Sequence, residues 1–264
     1  MTALDRLSSD LRITVRRRGR PDTSGKCVVY WMQRSQRAVD NAALELAVRL
    51  GNELGKPVVV FFAPVPFYPG ANQRNLRFLA EGVPDIAEGL ARRGVGFCFR
   101  SYPEHSLLKF CAQVQAAMVV GDENPLREPE EWRQRVTDRL RIPFWTVDAD
   151  AIVPSRLLEK EHYGARTIRP RLLEALPKFL NAPENTVAHV AWVAPPGLWS
   201  RSWEDDFTRD WTLDRTVSAV NDWHGGTTEA KRRLSEFVQS KVAAYPQARK
   251  HSPRDVSFRI LWLL

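Results

Sequence analysis

The chain has 264 residues, 44% hydrophobic and 27% charged, with a mean hydropathy of -0.36, and its 39 Lys+Arg against 31 Asp+Glu leave a net charge of +8. That length and apolar share allow one large domain or two modest ones around a buried core and exclude a disordered chain, while the positive charge favours a polyanionic partner such as nucleic acid. No run reaches the ~18 apolar residues of a membrane span, no secretory stretch opens the chain, and Cys27, Cys98 and Cys111 are odd in number without metal spacing, so a soluble, cytoplasmic protein free of disulfides is expected.

In chain order, residues 1–24 read as a basic arm, with Arg16, Arg17, Arg18 and Arg20 clustered in it. Cys27–Met32 is a short run of β-formers, as a strand buried on both faces should be. Ala43, Leu46, Ala47, Leu50 and Leu54 then make a helical stripe closed by Gly55, and Pro57–Ala63 is the second strand. Leu76, Leu79, Val83, Ile86 and Leu90 step by three and four; Pro84 inside that stripe predicts a kink or two abutting helices. Val95–Arg100 is a third strand, and Pro103 is placed to open a helix carrying Leu107, Phe110 and Val114. Ala116–Gly121 is a fourth strand, a charged helix follows around Trp132, Val136 and Leu140, and Pro143–Asp148 is a fifth.

This alternation predicts a doubly wound α/β domain over residues 25–150, with a parallel five-stranded sheet. Ligands of such sheets sit beyond the carboxyl ends of the strands, here the loops Gln33–Arg37, Pro64–Gly70 and Asp122–Arg127. None of the three carries a glycine-rich phosphate cradle. Residues 151–224 are expected as a helical segment and a connection. Helix is predicted in two pieces over 155–180, striped by Leu172, Leu173, Leu176, Phe179 and Leu180; the five tryptophans of 181–224 follow no clean period. Thr227 offers an N-cap to a helix striped by Leu234, Phe237, Val238, Val242 and Tyr245. The closing residues Ser257–Leu264 are almost wholly apolar and stop abruptly.

Nucleophile and metal motifs are missing from the sequence. The histidines His105, His162, His189, His224 and His251 are scattered, no GxSxG elbow occurs, and Glu159, Glu161 and Glu174 read as solvated helix carboxylates. The nine tryptophans could serve electron transfer or base stacking, but core and interface packing is the simpler role.

Four segments in order resemble the class II branch of the DNA photolyase/cryptochrome family. They are Tyr30–Arg37 with Asp40, Asn41 and Leu44; Asp122 with Pro125, Leu126 and Arg127; Val147–Ala149 with Val153 and Pro154; and Glu161–Arg169. Ser35 and Asp150 depart from the family's usual aspartate and histidine. The resemblance implies a Rossmann-like antenna domain, a linker, and over residues 225–264 the start of a helical FAD-binding domain in which Tyr245 and Arg249 would contact the flavin. It implies a lyase that repairs cyclobutane pyrimidine dimers in DNA by light-driven electron transfer from reduced FAD, with an antenna chromophore, deazaflavin or folate. No membrane partner is implied. Because Ser257–Leu264 replaces the family's continuation, the chain is expected to be a truncated or frameshifted form without intact activity. The competing reading is a non-catalytic α/β module that holds an antenna chromophore or nucleotide; a generic nucleotide-binding hydrolase or stress-type domain comes third.

Overall fold

The computed structural model describes residues 3–158 and 160–245. Glu159, Arg249, His251 and the apolar ending Ser257–Leu264 lie outside the described residues. The described chain divides into two compact units, residues 3–65 with 89–202 and residues 66–88 with 203–245. The units do not follow chain order as the expected domains do.

After a short opening helix α1 Ala3–Ser8, the first unit holds a six-stranded sheet of order β1-β6-β5-β2-β3-β4, formed by β1 Ile13–Arg17, β2 Cys27–Met32, β3 Val58–Phe62, β4 Gly96–Phe99, β5 Ala116–Asp122 and β6 Phe144–Val147. The five strands expected from apolar runs are all present and mutually parallel. The sixth, β1, is a correction: it pairs antiparallel with β6, from Ile13 opposite Val147 to Arg17 opposite Phe144, so the sheet is mixed and part of the supposed arm is an edge strand. Its arginines hid it. Arg16 is neutralised by Glu123 at 2.6 Å and Glu130 at 2.5 Å, carboxylates more than a hundred positions along the chain.

Burial explains the strands. In β2 the residues of one parity, Cys27 and Val29, join a core cluster with Phe61, Phe110 and Phe144, yet Val28 and Tyr30 of the other parity are equally inaccessible. Both faces are therefore covered, which is why the strand reads as a continuous apolar run. The helix α2 Ala42–Leu54 rests on β2 and β5; Asn41 caps it by accepting the Leu44 N–H at 2.9 Å, and Gly55 ends it at φ 60°. The helix α3 Gln73–Arg92 carries Pro84 in its interior as a single helix, not two abutting ones. The helix α4 Leu107–Gln113 opens later than expected: the Ser106 hydroxyl, not Pro103, caps it by accepting the Lys109 N–H. The helix α5 Arg127–Arg139 precedes β6. After a 3-10 turn at Ser155–Leu157 comes α6 Ala165–Phe179, none of whose residues is buried; Leu173 and Leu180 of the predicted stripe are exposed.

In the second unit, α3 is tied to residues 214–228 and to α7 Thr227–Ser240. The Gln73 N–H donates to the Asp214 carbonyl at 3.0 Å, and the Gly225 N–H to the Glu81 carboxylate at 3.0 Å. The cap of α7 is Gly226 and not Thr227. At φ 107° a side chain there would be strained and its Cβ would meet Asp85 Oδ2 at 2.7 Å, so Asp85 takes over the capping, accepting the Thr228 N–H at 2.7 Å. Phe207 and Trp211 pack edge to face at 5.4 Å and are buried, a small core where a connection was expected.

Candidate functional site

The order of the sheet reverses between β2 and β5, the position where open α/β sheets place their ligands. There the loop after β2 and the end of β5 are locked together by one carboxylate. Asp122 accepts the N–H groups of Gln33 at 2.9 Å, Arg34 at 2.8 Å and Ser35 at 3.2 Å, and the Tyr30 hydroxyl at 2.8 Å. Burial, and next the neighbouring Asp122 charge, push the Tyr30 hydroxyl well above its ordinary pKa, so it remains a donor. Asn41 Nδ2 completes the cluster, donating to the Tyr30 oxygen at 3.1 Å and to the Ser35 and Arg37 carbonyls at 2.8 and 2.9 Å. Two of the three loops expected at the site thus meet, and Arg34 also donates to Asn124 at 2.9 Å. Most of the third loop, Pro64–Gly70, falls in the second unit.

An internal carboxylate therefore uses the backbone donors that a phosphate would need, and Asn41 already caps α2. That is the structural counterpart of the missing glycine-rich loop. The two residues that depart from the family pattern also stand here. Ser35 is buried with its hydroxyl unpartnered, and Asp150 pairs with Arg34. Burial outweighs that pairing, and with the nearby Asp122 and Asp148 charges it leaves the Asp150 carboxyl above its ordinary pKa.

Beside the lock opens a cleft of about 1140 Å3 between α2, β1, the 147–152 segment and the 179–189 segment. Its walls mix Leu46, Ile152 and Phe179 with Arg37, Asp40 and Asp150. Arg12 shapes one wall by donating to the carbonyls of Asp148 at 3.1 Å and Ala151 at 2.6 Å. The opposite wall hangs on Glu45, which accepts from Arg93 at 2.9 Å, Arg49 at 3.1 Å and the Thr186 N–H at 3.1 Å. Sequence reasoning missed Glu45, Arg93 and Thr186; charged residues on a helix and in a loop give no local sign of pairing across about 140 positions.

Burial alone would raise the Glu45 carboxyl, but the hydrogen bonds from Thr186 and Arg49 and the Arg93 charge outweigh it and hold its pKa below the ordinary carboxylate range. Because the folded value lies below the unfolded one, the stabilisation is complete above about pH 4.5 and is lost as pH falls through the folded value. Glu45→Gln should cost about 1–2 kcal/mol near neutrality in urea unfolding, and its deficit against the parent should shrink in acid. A deficit independent of pH would show that the charge is not what stabilises.

The remaining expected residues are dispersed. Tyr245 is half-buried with its ring edge-on to Phe237 at 5.6 Å, and Arg249 lies outside the described residues. Glu161–Arg169 runs into the first turn of α6, with Tyr163 fully exposed. Among the described residues no group of three His, Cys, Asp or Glu could hold a metal, and no helix is long and apolar enough to cross a membrane. Cys27, Cys98 and Cys111 are buried free thiols, and burial pushes Cys27 up to about 12.

A DNA photolyase family model matches residues 28–206. The deoxyribodipyrimidine photo-lyase of Methanothermobacter thermautotrophicus is 34% identical over 232 residues, 87% of this chain and 51% of that protein. That of Potorous tridactylus is 30% identical over 234 residues, 86% and 43% of the two chains. Among solved structures, a bacterial class III photolyase from Agrobacterium tumefaciens superposes with a TM-score of 0.63 at 20% identity, covering 89% of this chain and 49% of that one. A Synechocystis cryptochrome gives 0.61 at 15% identity, covering 94% and 54%. At those identities the two structures bear on the fold alone. The chain spans about half the length of the curated relatives it matches.

Proposed function

The chain belongs to the DNA photolyase family, and on that footing we propose that it serves light-driven repair of cyclobutane pyrimidine dimers in DNA, its α/β unit seating a light-harvesting chromophore in the cleft beside α2. The observation that carries the second half is the cleft itself. It lies at the carboxyl ends of the strands, is about 1140 Å3, and sets apolar Leu46, Ile152 and Phe179 among charged side chains of both signs, while the nearby backbone donors are already bound by Asp122. Such a site favours a planar, weakly charged ring system over a nucleotide polyphosphate, and deazaflavin or folate answers that description.

When bound and reduced, FAD supplies the light-driven electron that opens the dimer. Tyr245, packed edge-on against Phe237, and Arg249 are the proposed flavin contacts. This chain's own residues do the positioning: Asp122 and Asn41 fix the loop that carries Arg37, Arg12 holds the 148–152 wall, and Glu45 holds the opposite one. The net charge of +8 suits a DNA partner, since each cation near a phosphate releases a counterion. A second reading, a chromophore-binding module without catalysis, is favoured by the fact that every wall of this cleft comes from the first unit.

The test is the visible spectrum of the purified chain before and after denaturation, together with loss of thymine dimers from an oligonucleotide under near-ultraviolet light. Released deazaflavin or folate near one equivalent, with flavin and light-dependent repair, is the expected result. Chromophore without flavin or repair would select the non-catalytic module. A colourless chain that neither takes up added chromophore nor repairs DNA would overturn both readings.

A further inference from the structure

We propose that a second cleft, at the amino-terminal edge of the same sheet, binds a small amphipathic anion: an apolar chain or ring with one anionic head. Three turns build it, the 22–26 turn entering β2, the α4-to-β5 turn at 112–116 and the α5-to-β6 turn at 139–142. Its volume is about 620 Å3, within the ~300–1,000 Å3 usual for ligand sites. Leu108, Cys111, Leu140 and Ile142 line its interior, as part of or packed against the main core cluster, and exposed Ala112 adds to the lining.

The cleft is open to water and its lining is more apolar than polar, so an apolar guest gains by covering that surface. The chain is prevented from closing it. The 22–26 turn is pinned to β5 by the Asp22 N–H on the Ala117 carbonyl at 3.0 Å and the Lys26 N–H on the Gln115 carbonyl at 2.7 Å. Gly25 sits so close to Ala117 that a Cβ would meet its Cα at 2.5 Å. The turn is held against β5 and cannot slide over Cys111.

The rim supplies the charge. Lys26, Arg139 and Arg141 border the opening, and none has a side-chain hydrogen bond or ion pair among the described residues. The single carboxylate on the rim, Asp22, is occupied by the Ser24 N–H at 2.9 Å and hydroxyl at 2.7 Å. Arg139 also complements the carboxyl end of α5, but Lys26 and Arg141 stand outside any helix, so a helix dipole does not account for them. Three free cations around an apolar hollow suit a guest with a greasy body and an anionic head. This site is at the opposite end of the strands from the chromophore cleft and does not depend on that reading.

Calorimetric titration of the full chain with decanoate, and with decanol as its uncharged twin, tests the assignment. Decanoate should bind one to one, and decanol at least about tenfold more weakly. The double variant Lys26→Glu/Arg141→Glu reverses charge at two exposed positions and should weaken decanoate by about tenfold or more. Ala112→Trp, from an exposed helix position, should fill the hollow and abolish binding. The proposal is overturned if decanoate does not bind, if decanol binds as well, or if Ala112→Trp binds like the parent.

Discussion

Asp122→Ala should lower the stability of this chain by about 4 kcal/mol and its melting temperature by about 10 °C. One carboxylate at the end of β5 accepts four hydrogen bonds, three from the 33–35 backbone and one from a fully buried tyrosine. Removing it leaves the three N–H groups without this acceptor and the Tyr30 hydroxyl with only its long 3.5 Å contacts to the Ser35 carbonyl and Asn41 Oδ1, and each unpaired buried donor costs about 1–3 kcal/mol. Water can reach the half-buried N–H groups of Gln33 and Arg34, which keeps the total below the full sum. Tyr30→Phe removes only one of the four bonds and should cost about 1 kcal/mol. Chemical denaturation of both variants checks the argument; equal losses would show that the carboxylate is not the anchor. The same substitution should loosen the loop bearing Arg37 and weaken chromophore retention.

Gly96→Val is expected to cost about 2–3 kcal/mol and to make the protein aggregate. Gly96 begins β4, the last strand at one edge of the sheet, and a Cβ there would overlap the indole ring of Trp192. That indole belongs to the segment that covers the open edge. The Ala188 N–H donates to the Arg93 carbonyl at 2.8 Å, the Arg201 N–H to the Phe99 carbonyl at 2.7 Å, and the Phe99 N–H to the Ser200 hydroxyl at 3.0 Å. Arg100 adds its guanidinium, donating to the Trp199 carbonyl at 3.1 Å. A valine side chain pushes Trp192 off and frees unpaired strand edge for another copy. Denaturant midpoint and light scattering read the two effects, and Trp192→Gly in the valine background should recover part of the stability by relieving the overlap. An unchanged midpoint in Gly96→Val would show that the indole is not held there.

The architecture was legible wherever burial is two-sided or one-striped. The runs Cys27–Met32 and Val58–Phe62 and the stripe of α2 announce themselves, because a strand covered on both faces or a helix covered on one leaves a local apolar signature. Alternation of such signatures was enough for a parallel α/β sheet, and the ordered motifs at Tyr30–Arg37 and Asp122–Arg127 for the family. The switch-point loops followed from the same pattern, since strand ends are where the periodicity stops.

Only the tertiary structure could decide the rest, because it depends on partners far apart in the chain. The edge strand β1 looks like a basic arm until Glu123 and Glu130 arrive to neutralise Arg16. The cap of α7 needs Asp85, supplied from α3. Asp122 reads as one acidic residue after a strand; its role as the anchor of a loop nearly ninety positions earlier comes from β2 and β5 lying side by side. Local periodicity records what a residue buries, and it carries no record of which distant charge or donor it meets. The five parallel strands and the family were therefore decided by sequence, while the edge strand β1, the hydrogen-bonded lock, the two clefts and the covered sheet edge were decided by packing.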